Sequence, residues 1–375
     1  MDNLFNNIYR NKKVLITGHT GFKGSWLTMW LLNLGADITG YALKAATNPS
    51  LFEVLGLKDK INHIEADIRD SEYLEKVVKN CKPDIIFHLA AQPLVRYSYK
   101  NPRETYETNI MGTVNLLDAI RKNQSAKVVV NITSDKCYDN KETLKAYNED
   151  APMGGSDPYS SSKGAAELVI SAYKKSFFNP EQYGLTHNTA MASVRAGNVI
   201  GGGDWSDDRL IPDCIKAFTQ NNPVILRNPQ SIRPWQHVLE PLSGYLWIGA
   251  LMWEDGKAYC EGWNFGPDDR NILTVEEVVK NVIKLFDSGS YEIDSDFNPH
   301  EAKLLTLDIS KATGRLNWKP VYSNADSIKE TVEWYKNFYD NRVNIRDFTL
   351  NQINSYIKKA QESNIDWSLV KQWQN

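Results

Sequence analysis

Apolar residues in the first half of this chain come in short runs, each ended by a turn and mostly followed by a stretch with helical spacing. Val14-Leu15-Ile16 reads as a buried strand. Ile38–Leu43, Ile61–Ala66, Asp84–Leu89, Lys127–Ile132 and Ala190–Arg195 read as five more. Helical patterns such as Thr113–Lys122 and Ser160–Lys175 lie between most of them. Strands alternating with helices predict an α/β fold: a doubly wound parallel sheet covered on both faces. After about Gly197 the rhythm changes. A loop at Gly201–Trp205 precedes a helix over Leu210–Gln220 and a short strand over Pro223–Leu226. A helix over Leu239–Trp253 is expected to return to the first lobe, and Thr274–Phe286 and Ser327–Tyr339 are helical again. The pattern therefore divides the chain in two. The first lobe takes residues 1–196 with a returning segment around 234–258. A smaller mixed α/β lobe, from 197–233 and 259–375, sits over the carboxyl ends of the strands, where ligands bind in open sheets. The tail from Arg346 to Asn375 is polar with spaced aromatics, compatible with a packed helix, and no function attaches to it.

The first strand runs straight into Gly18-His19-Thr20-Gly21-Phe22-Lys23-Gly24, and an apolar stretch of helical length follows. In such a turn glycines let the backbone reverse and approach a ligand, while the N–H groups of the new helix point at an anion. The spacing is Gly-x-x-Gly-x-x-Gly rather than the usual Gly-x-Gly-x-x-Gly. Its place at the first strand-to-helix turn predicts a dinucleotide pyrophosphate site, and with it a Rossmann domain.

Composition narrows the field. The chain has 375 residues, is 42% hydrophobic and carries a net charge of -3, which gives no basic surplus for nucleic acid. The four cysteines (Cys81, Cys137, Cys214, Cys260) lie far apart with no Cys-x-x-Cys, which argues against a metal site or a disulfide framework. No signal core and no membrane-length apolar segment is present, so a cytoplasmic protein without membrane association is expected.

Candidate chemistry gathers near the fifth strand. Tyr159 and Lys163 form a Tyr-x-x-x-Lys pair, four apart on one helix face. An ammonium beside the phenol is expected to pull its pKa below the usual value of about 10. Ser134 directly follows the fifth strand, where a hydroxyl can hold a substrate oxygen near the tyrosine.

Four motifs, TGHTGFKG, HLAAQ, TSDK and YSSSK, together resemble the extended short-chain dehydrogenase/reductase family over nearly the whole chain. Ser134-Asp135-Lys136 stands where the nucleoside-diphosphate-sugar 4,6-dehydratases of that family commonly carry Thr-Asp-Glu. Lys136, with SWLTMWL, YALKAATNPSLFE and GNVIGGGDWSDDRLIPD, is similar to the branch of that group acting on CDP-glucose.

The resemblance implies roles. Tyr159, as phenolate, takes the proton of the sugar C4 hydroxyl while hydride leaves C4. Lys136 acts as the C5 base and Asp135 as the acid for the departing C6 hydroxyl, and hydride then returns to C6. Lys136 must then be neutral and Asp135 protonated, so burial has to lower one pKa and raise the other. The implied cofactor is NAD. Gly18, Gly21, Phe22 and Gly24 hold its pyrophosphate, Asp67 its adenine, and Leu89, Ala90 and Ala91 its ribose and pyrophosphate. Lys163, beside Tyr159, reaches the nicotinamide ribose. No acid follows the second strand for the adenosine ribose, and Lys44 there is compatible with a 2′-phosphate. The nucleotide sugar is expected on Ser134, Asn198, Arg209 and Arg233. His19, within the glycine turn, is placed to touch the cofactor, and His237 reads as structural. The resemblance also implies a homodimer built on Thr105–Lys122 and Ser160–Lys175, able to pair into a dimer of dimers, and a place in deoxysugar supply for surface polysaccharide such as O-antigen. Three alternatives stay open: a dehydratase for another nucleotide sugar, a nucleotide-sugar 4-epimerase, and a non-catalytic dinucleotide sensor.

Overall fold

The computed structural model describes residues 4–143, 145–268, 273–294 and 305–369. Strand β1 (Lys13–Thr17) leads to α1 (Phe22–Asn33), β2 (Asp37–Ala42), the single turn α2 (Leu51–Val54), β3 (Asn62–Glu65), α3 (Ser71–Cys81) and β4 (Ile85–His88). Helices α4 (Val95–Lys100) and α5 (Pro102–Tyr106) follow, then a π-helical turn at Glu107–Met111 that continues into α6 (Gly112–Asn123). Next come β5 (Val128–Ile132), α7 (Pro158–Phe177), β6 (Ala190–Ala196), β7 (Val199–Ile200), α8 (Leu210–Thr219), β8 (Pro223–Leu226), β9 (Ile232–Arg233) and β10 (Gln236–His237). The remainder holds α9 (Leu239–Glu254), β11 (Gly262–Phe265), β12 (Leu273–Thr274), α10 (Val275–Phe286), β13 (Ser290–Ile293), α11 (Ser310–Leu316), α12 (Asn324–Asp340) and α13 (Ile345–Glu362).

Seven strands form one parallel sheet in the order β11-β6-β5-β4-β1-β2-β3. Strands β4, β5 and β6 are buried along their whole length, mostly by apolar residues, with Ser193 and Arg195 of β6 satisfied by Glu167. In β1, Val14 and Ile16 face one core and Leu15 the other, the alternation a covered strand imposes. Strand order reverses between β1 and β4, and in doubly wound sheets the ligand crevice opens at that reversal.

Two stretches expected in the second lobe belong to the first. Residues 262–265, in the span 259–375, form the edge strand β11, paired with β6 from Gly262↔Ser193 to Phe265↔Ala196. Its four residues carry too little periodicity to announce a strand; the pairing with β6 creates it. The tail forms α13, which docks on α1: Tyr356 meets Trp30 edge-on with ring centroids 5.9 Å apart. Beyond α13, Trp367 stacks on Tyr356 at 5.7 Å and on Phe5 at 5.1 Å. Residues 370–375 lie outside the described residues. Helix α9 returns to the first lobe as expected, and Tyr9 donates from its hydroxyl to the Leu246 carbonyl at 2.6 Å.

Candidate active site

The glycine turn is a cradle built by close approach. Gly18 has φ +77, and a Cβ there would lie 2.7 Å from the Ala90 nitrogen and 2.8 Å from the Leu89 carbonyl carbon. Only glycine lets the end of β1 touch the end of β4, which brings Leu89, Ala90 and Ala91 to the turn. A Cβ on Gly24 would lie 2.2 Å from the Gly18 oxygen, so the first turn of α1 also needs a glycine. Gly21 is exposed and caps α1 with no side-chain hydrogen bond. The N–H groups of Phe22 and its neighbours are thus left for an anion, as a dinucleotide pyrophosphate requires. Asp67 follows β3, and its carboxylate is engaged by Arg69 at 2.6 Å and 2.9 Å, which holds it below the usual carboxylate range. His19 does not face outward. Its ring is buried, bonded to His63 at 2.7 Å, and fills the space a Cβ of Gly40 would need. Burial and His63 push its pKa down to about 3. His237 is also buried, edge-on to Trp26 at 5.9 Å, a packing role. Lys44 is exposed just beyond β2.

The catalytic candidates meet at the end of β5. Ser134 caps a short turn, Asp135–Cys137, by accepting from the Lys136 backbone N–H. The Ser134 hydroxyl donates to the Asp135 Oδ1 at 2.9 Å, and the Lys136 N–H reaches the same oxygen at 2.9 Å. Asp157 caps α7 with Pro158 in its first turn, which sets Tyr159 and Lys163 on the face turned to Ser134. The Ser134 hydroxyl is near enough to ease ionisation of the Tyr159 phenol. Lys136 is half-buried and acts electrostatically on Asp135.

One electrostatic expectation is overturned. Burial pushes the Tyr159 phenol up to about 12, against the lowering influence of Ser134, instead of Lys163 drawing it down. Lys163 is itself buried and lowered to about 8. In a low-dielectric setting the penalty for forming a charge outweighs the help of a partly neutral amine. Asp135 moves as expected: burial raises it above the usual carboxylate range against the pull of Lys136.

Of the substrate candidates, Arg209 joins the cluster. It pairs with Asp204 at 2.6 Å and acts electrostatically on Tyr159. Asn198 lies between β6 and β7, where its carbonyl accepts from the Gln236 N–H at 3.0 Å. Arg233 lies on β9, opposite Leu273 of β12, on a small ladder of its own.

Sequence reading missed two supporting networks. Glu167 is two turns beyond Tyr159 on the same face of α7, a spacing that would have revealed it. Its carboxylate accepts from Thr133 at 2.5 Å, Ser193 at 2.7 Å and Arg195 at 2.8 and 2.9 Å, gripping β5 and β6 behind the site. Asn109, in the π-helical turn, donates to Ser162 of α7 at 2.8 Å and accepts from the Gln92 N–H at 2.8 Å. That ties the loop after β4 to the catalytic helix.

The profile of the GDP-mannose 4,6 dehydratase family matches residues 15–331. The chain is 54% identical over 331 residues to a CDP-glucose 4,6-dehydratase of Salmonella typhimurium, covering 88% of this chain and 92% of that protein. Among solved structures it is similar to a dTDP-glucose 4,6-dehydratase of Bacillus anthracis in complex with NAD. The TM-score is 0.71 at 25% identity, over 88% of this chain and 98% of that one. A UDP-glucose 4-epimerase of Thermotoga maritima shares the fold, with a TM-score of 0.74 at 21% identity over 87% of this chain and 99% of that one.

Proposed function

From the premise that this chain belongs to the GDP-mannose 4,6-dehydratase family, within the extended short-chain dehydrogenase/reductases, we infer that it is an NAD-dependent CDP-glucose 4,6-dehydratase. It is a hydro-lyase that converts CDP-glucose to CDP-4-keto-6-deoxyglucose and water. The observation that carries the reading is the buried Ser134–Asp135–Tyr159 cluster beside Lys136, opposite a glycine cradle shaped for a dinucleotide.

The cradle fits NAD. Gly18, Gly21, Phe22 and Gly24 would hold its pyrophosphate, with Asp67, Leu89, Ala90 and Ala91 along the adenosine and Lys163 at the nicotinamide ribose. Held there, NAD would supply the acceptor for the C4 hydride and the donor that returns it to C6. Tyr159 and Ser134 share the sugar C4 oxygen. With the phenol near 12, Tyr159 needs added positive charge to accept a proton at neutral pH, and an oxidised nicotinamide brings it. Once C4 is a ketone, the C5 proton is acidic and Lys136 is the base set beside it. Asp135, held toward its protonated form by burial, donates to the leaving C6 hydroxyl. Asn198, Arg209 and Arg233 serve the CDP-glucose diphosphate, a task suited to guanidinium groups.

We also propose a homodimer. Tyr106, Met111 and Leu168 leave large apolar side chains exposed within Thr105–Lys122 and Ser160–Lys175, the stretches expected to form its contact, and Tyr99 and Phe177 lie exposed just outside them. Among the described residues no helix is long and apolar enough to cross a membrane. The four cysteines are unpaired, which supports a reducing, cytoplasmic setting.

Turnover tests the reading. CDP-glucose, dTDP-glucose, GDP-mannose and UDP-glucose are each incubated with the protein and NAD in deuterated water, and the products are weighed by mass spectrometry. Loss of water from CDP-glucose with one deuteron gained at C5 is the expected result. An isomer of unchanged mass would make the protein an epimerase, and NAD binding without any turnover would make it a sensor.

A further inference from the structure

Lys23 sits inside the glycine turn, second residue of α1, and the roles above leave it unused. It is half-buried and, among the described residues, makes no hydrogen bond or ion pair. Its surroundings are charged because a distant loop crosses the start of its helix. Phe22 lies against Gly201, whose Cβ would be 3.1 Å from the Phe22 ring, and Trp26 donates to the Gly202 carbonyl at 2.9 Å. That loop continues to Asp204, whose backbone is pinned by the Tyr335 hydroxyl, and on to Arg209. The groups acting on Lys23 are therefore Arg209 and Asp204 from this loop, Asp135 from the turn after β5 and Lys163 from α7. Asp204 is already committed to Arg209, so the Lys23 ammonium has no dedicated carboxylate among the described residues.

We propose that Lys23 is a further binding residue of this site: a side chain without a hydrogen-bond or ion-pair partner among the described residues in the protein alone that turns to the pyrophosphate of the dinucleotide on binding, taking up a proton from solvent as it does so. The proposal rests on the dinucleotide reading above. Burial, with Arg209 and Lys163 adding to it, lowers Lys23 to about 8 against the pull of Asp135 and Asp204. Near that pH the amine is only partly charged. Two phosphate charges at the N-terminus of its own helix favour the ammonium form and complete its protonation. Asp135, on which Lys23 exerts a downward pull, then loses part of that pull and holds its proton more firmly. Cofactor binding would in this way prepare the acid that expels the C6 hydroxyl.

The test is calorimetric titration of NAD into the full chain, freed of nucleotide, in buffers of differing ionisation enthalpy. The readout is protons exchanged per NAD bound. The pyrophosphate does not titrate near neutrality, so any uptake belongs to the protein. Near pH 8 the wild-type chain is expected to take up roughly half a proton more than Lys23→Arg, and the difference should vanish at about pH 6. Lys23→Arg keeps the charge, so it should bind NAD without that increment. Lys23→Met should lose the increment and also show a weaker dependence of affinity on salt. Equal uptake by wild type and Lys23→Arg overturns the proposal while leaving the dinucleotide site intact. Failure of the wild-type chain to bind NAD overturns the dinucleotide reading and the proposal together.

Discussion

Replacing Glu167 by Gln removes one charge from behind the active site and leaves its shape nearly unchanged. The side chains of Glu167 and Arg195 are each only 5% exposed, and Arg195 reaches the carboxylate through Nε at 2.8 Å and Nη2 at 2.9 Å. The Glu167→Gln amide oxygen can still accept from Thr133 or from Ser193, but not from both, and a buried guanidinium is left uncompensated. Breaking a buried pair from one side destabilises by about 3–5 kcal/mol. The expected result is an unfolding free energy lowered by that amount, read as a lower urea midpoint with an unchanged slope. The pH dependence follows with a definite sign. Burial alone would raise Glu167, but Arg195, Thr133 and Ser193 outweigh it and hold the carboxyl below its ordinary value. Its stabilisation is therefore complete above about pH 4.3 and lost as pH falls through the lower folded value. Wild type and Glu167→Gln should differ fully at neutral pH and converge in acid. A neutral-pH difference under about 1 kcal/mol, the range of an exposed pair, would refute the account of Glu167 and Arg195 as a buried clamp.

Three other expectations can be checked separately. Tyr159→Phe should lower turnover by about 10²–10⁴-fold or more while CDP-glucose still binds in calorimetry, and near-normal turnover would remove Tyr159 as the base. Lys136→Ala should oxidise C4 and then stall, so reduced cofactor should accumulate in single-turnover absorbance; a mutant that completes the reaction at the normal rate places the C5 base elsewhere. Gly202→Ala would set a Cβ 2.0 Å from the Trp334 Cγ, so it should lower stability by about 1–3 kcal/mol and raise KM by shifting the loop that carries Asp204 and Arg209. Unchanged melting temperature and KM would show that this loop has slack.

What could be read from the chain beforehand was local. The turn at Gly18–Gly24, the six strands before residue 197 and the Tyr159–Lys163 spacing each depend on neighbours within a few residues, and all three stand in the structure. Strand β11 escaped because its four residues are a strand only by virtue of β6, some seventy residues earlier. Glu167 was missed although its helical spacing from Tyr159 could have flagged it, and its partner Arg195 lies on another element. The phenol of Tyr159 was misjudged for a related reason. The sequence places an ammonium beside it, whereas how deeply both groups are buried depends on α4, β5 and the loop before α8 together. Arg209 fell into the cluster because the Gly201–Asp204 loop packs between Trp334, Leu51 and α1, a set of contacts no short window contains.

The aromatic stack of Phe5, Trp367, Tyr356 and Trp30 has a bearing on how the molecule is made. The face of α1 that backs the glycine cradle is covered by residues 345–369, and the sheet is closed at one edge by residues 262–265. A ribosome making this chain therefore delivers the cradle early and its lid of aromatic rings late. During that interval Trp30 has no partner from the tail, and the nascent first lobe holds apolar surface that α13 later covers. The nucleotide-binding half of this protein is thus not a module that folds and waits. It is finished by residues 345–369, made long after the cradle itself, and cleavage between α12 and α13 would reopen it from behind.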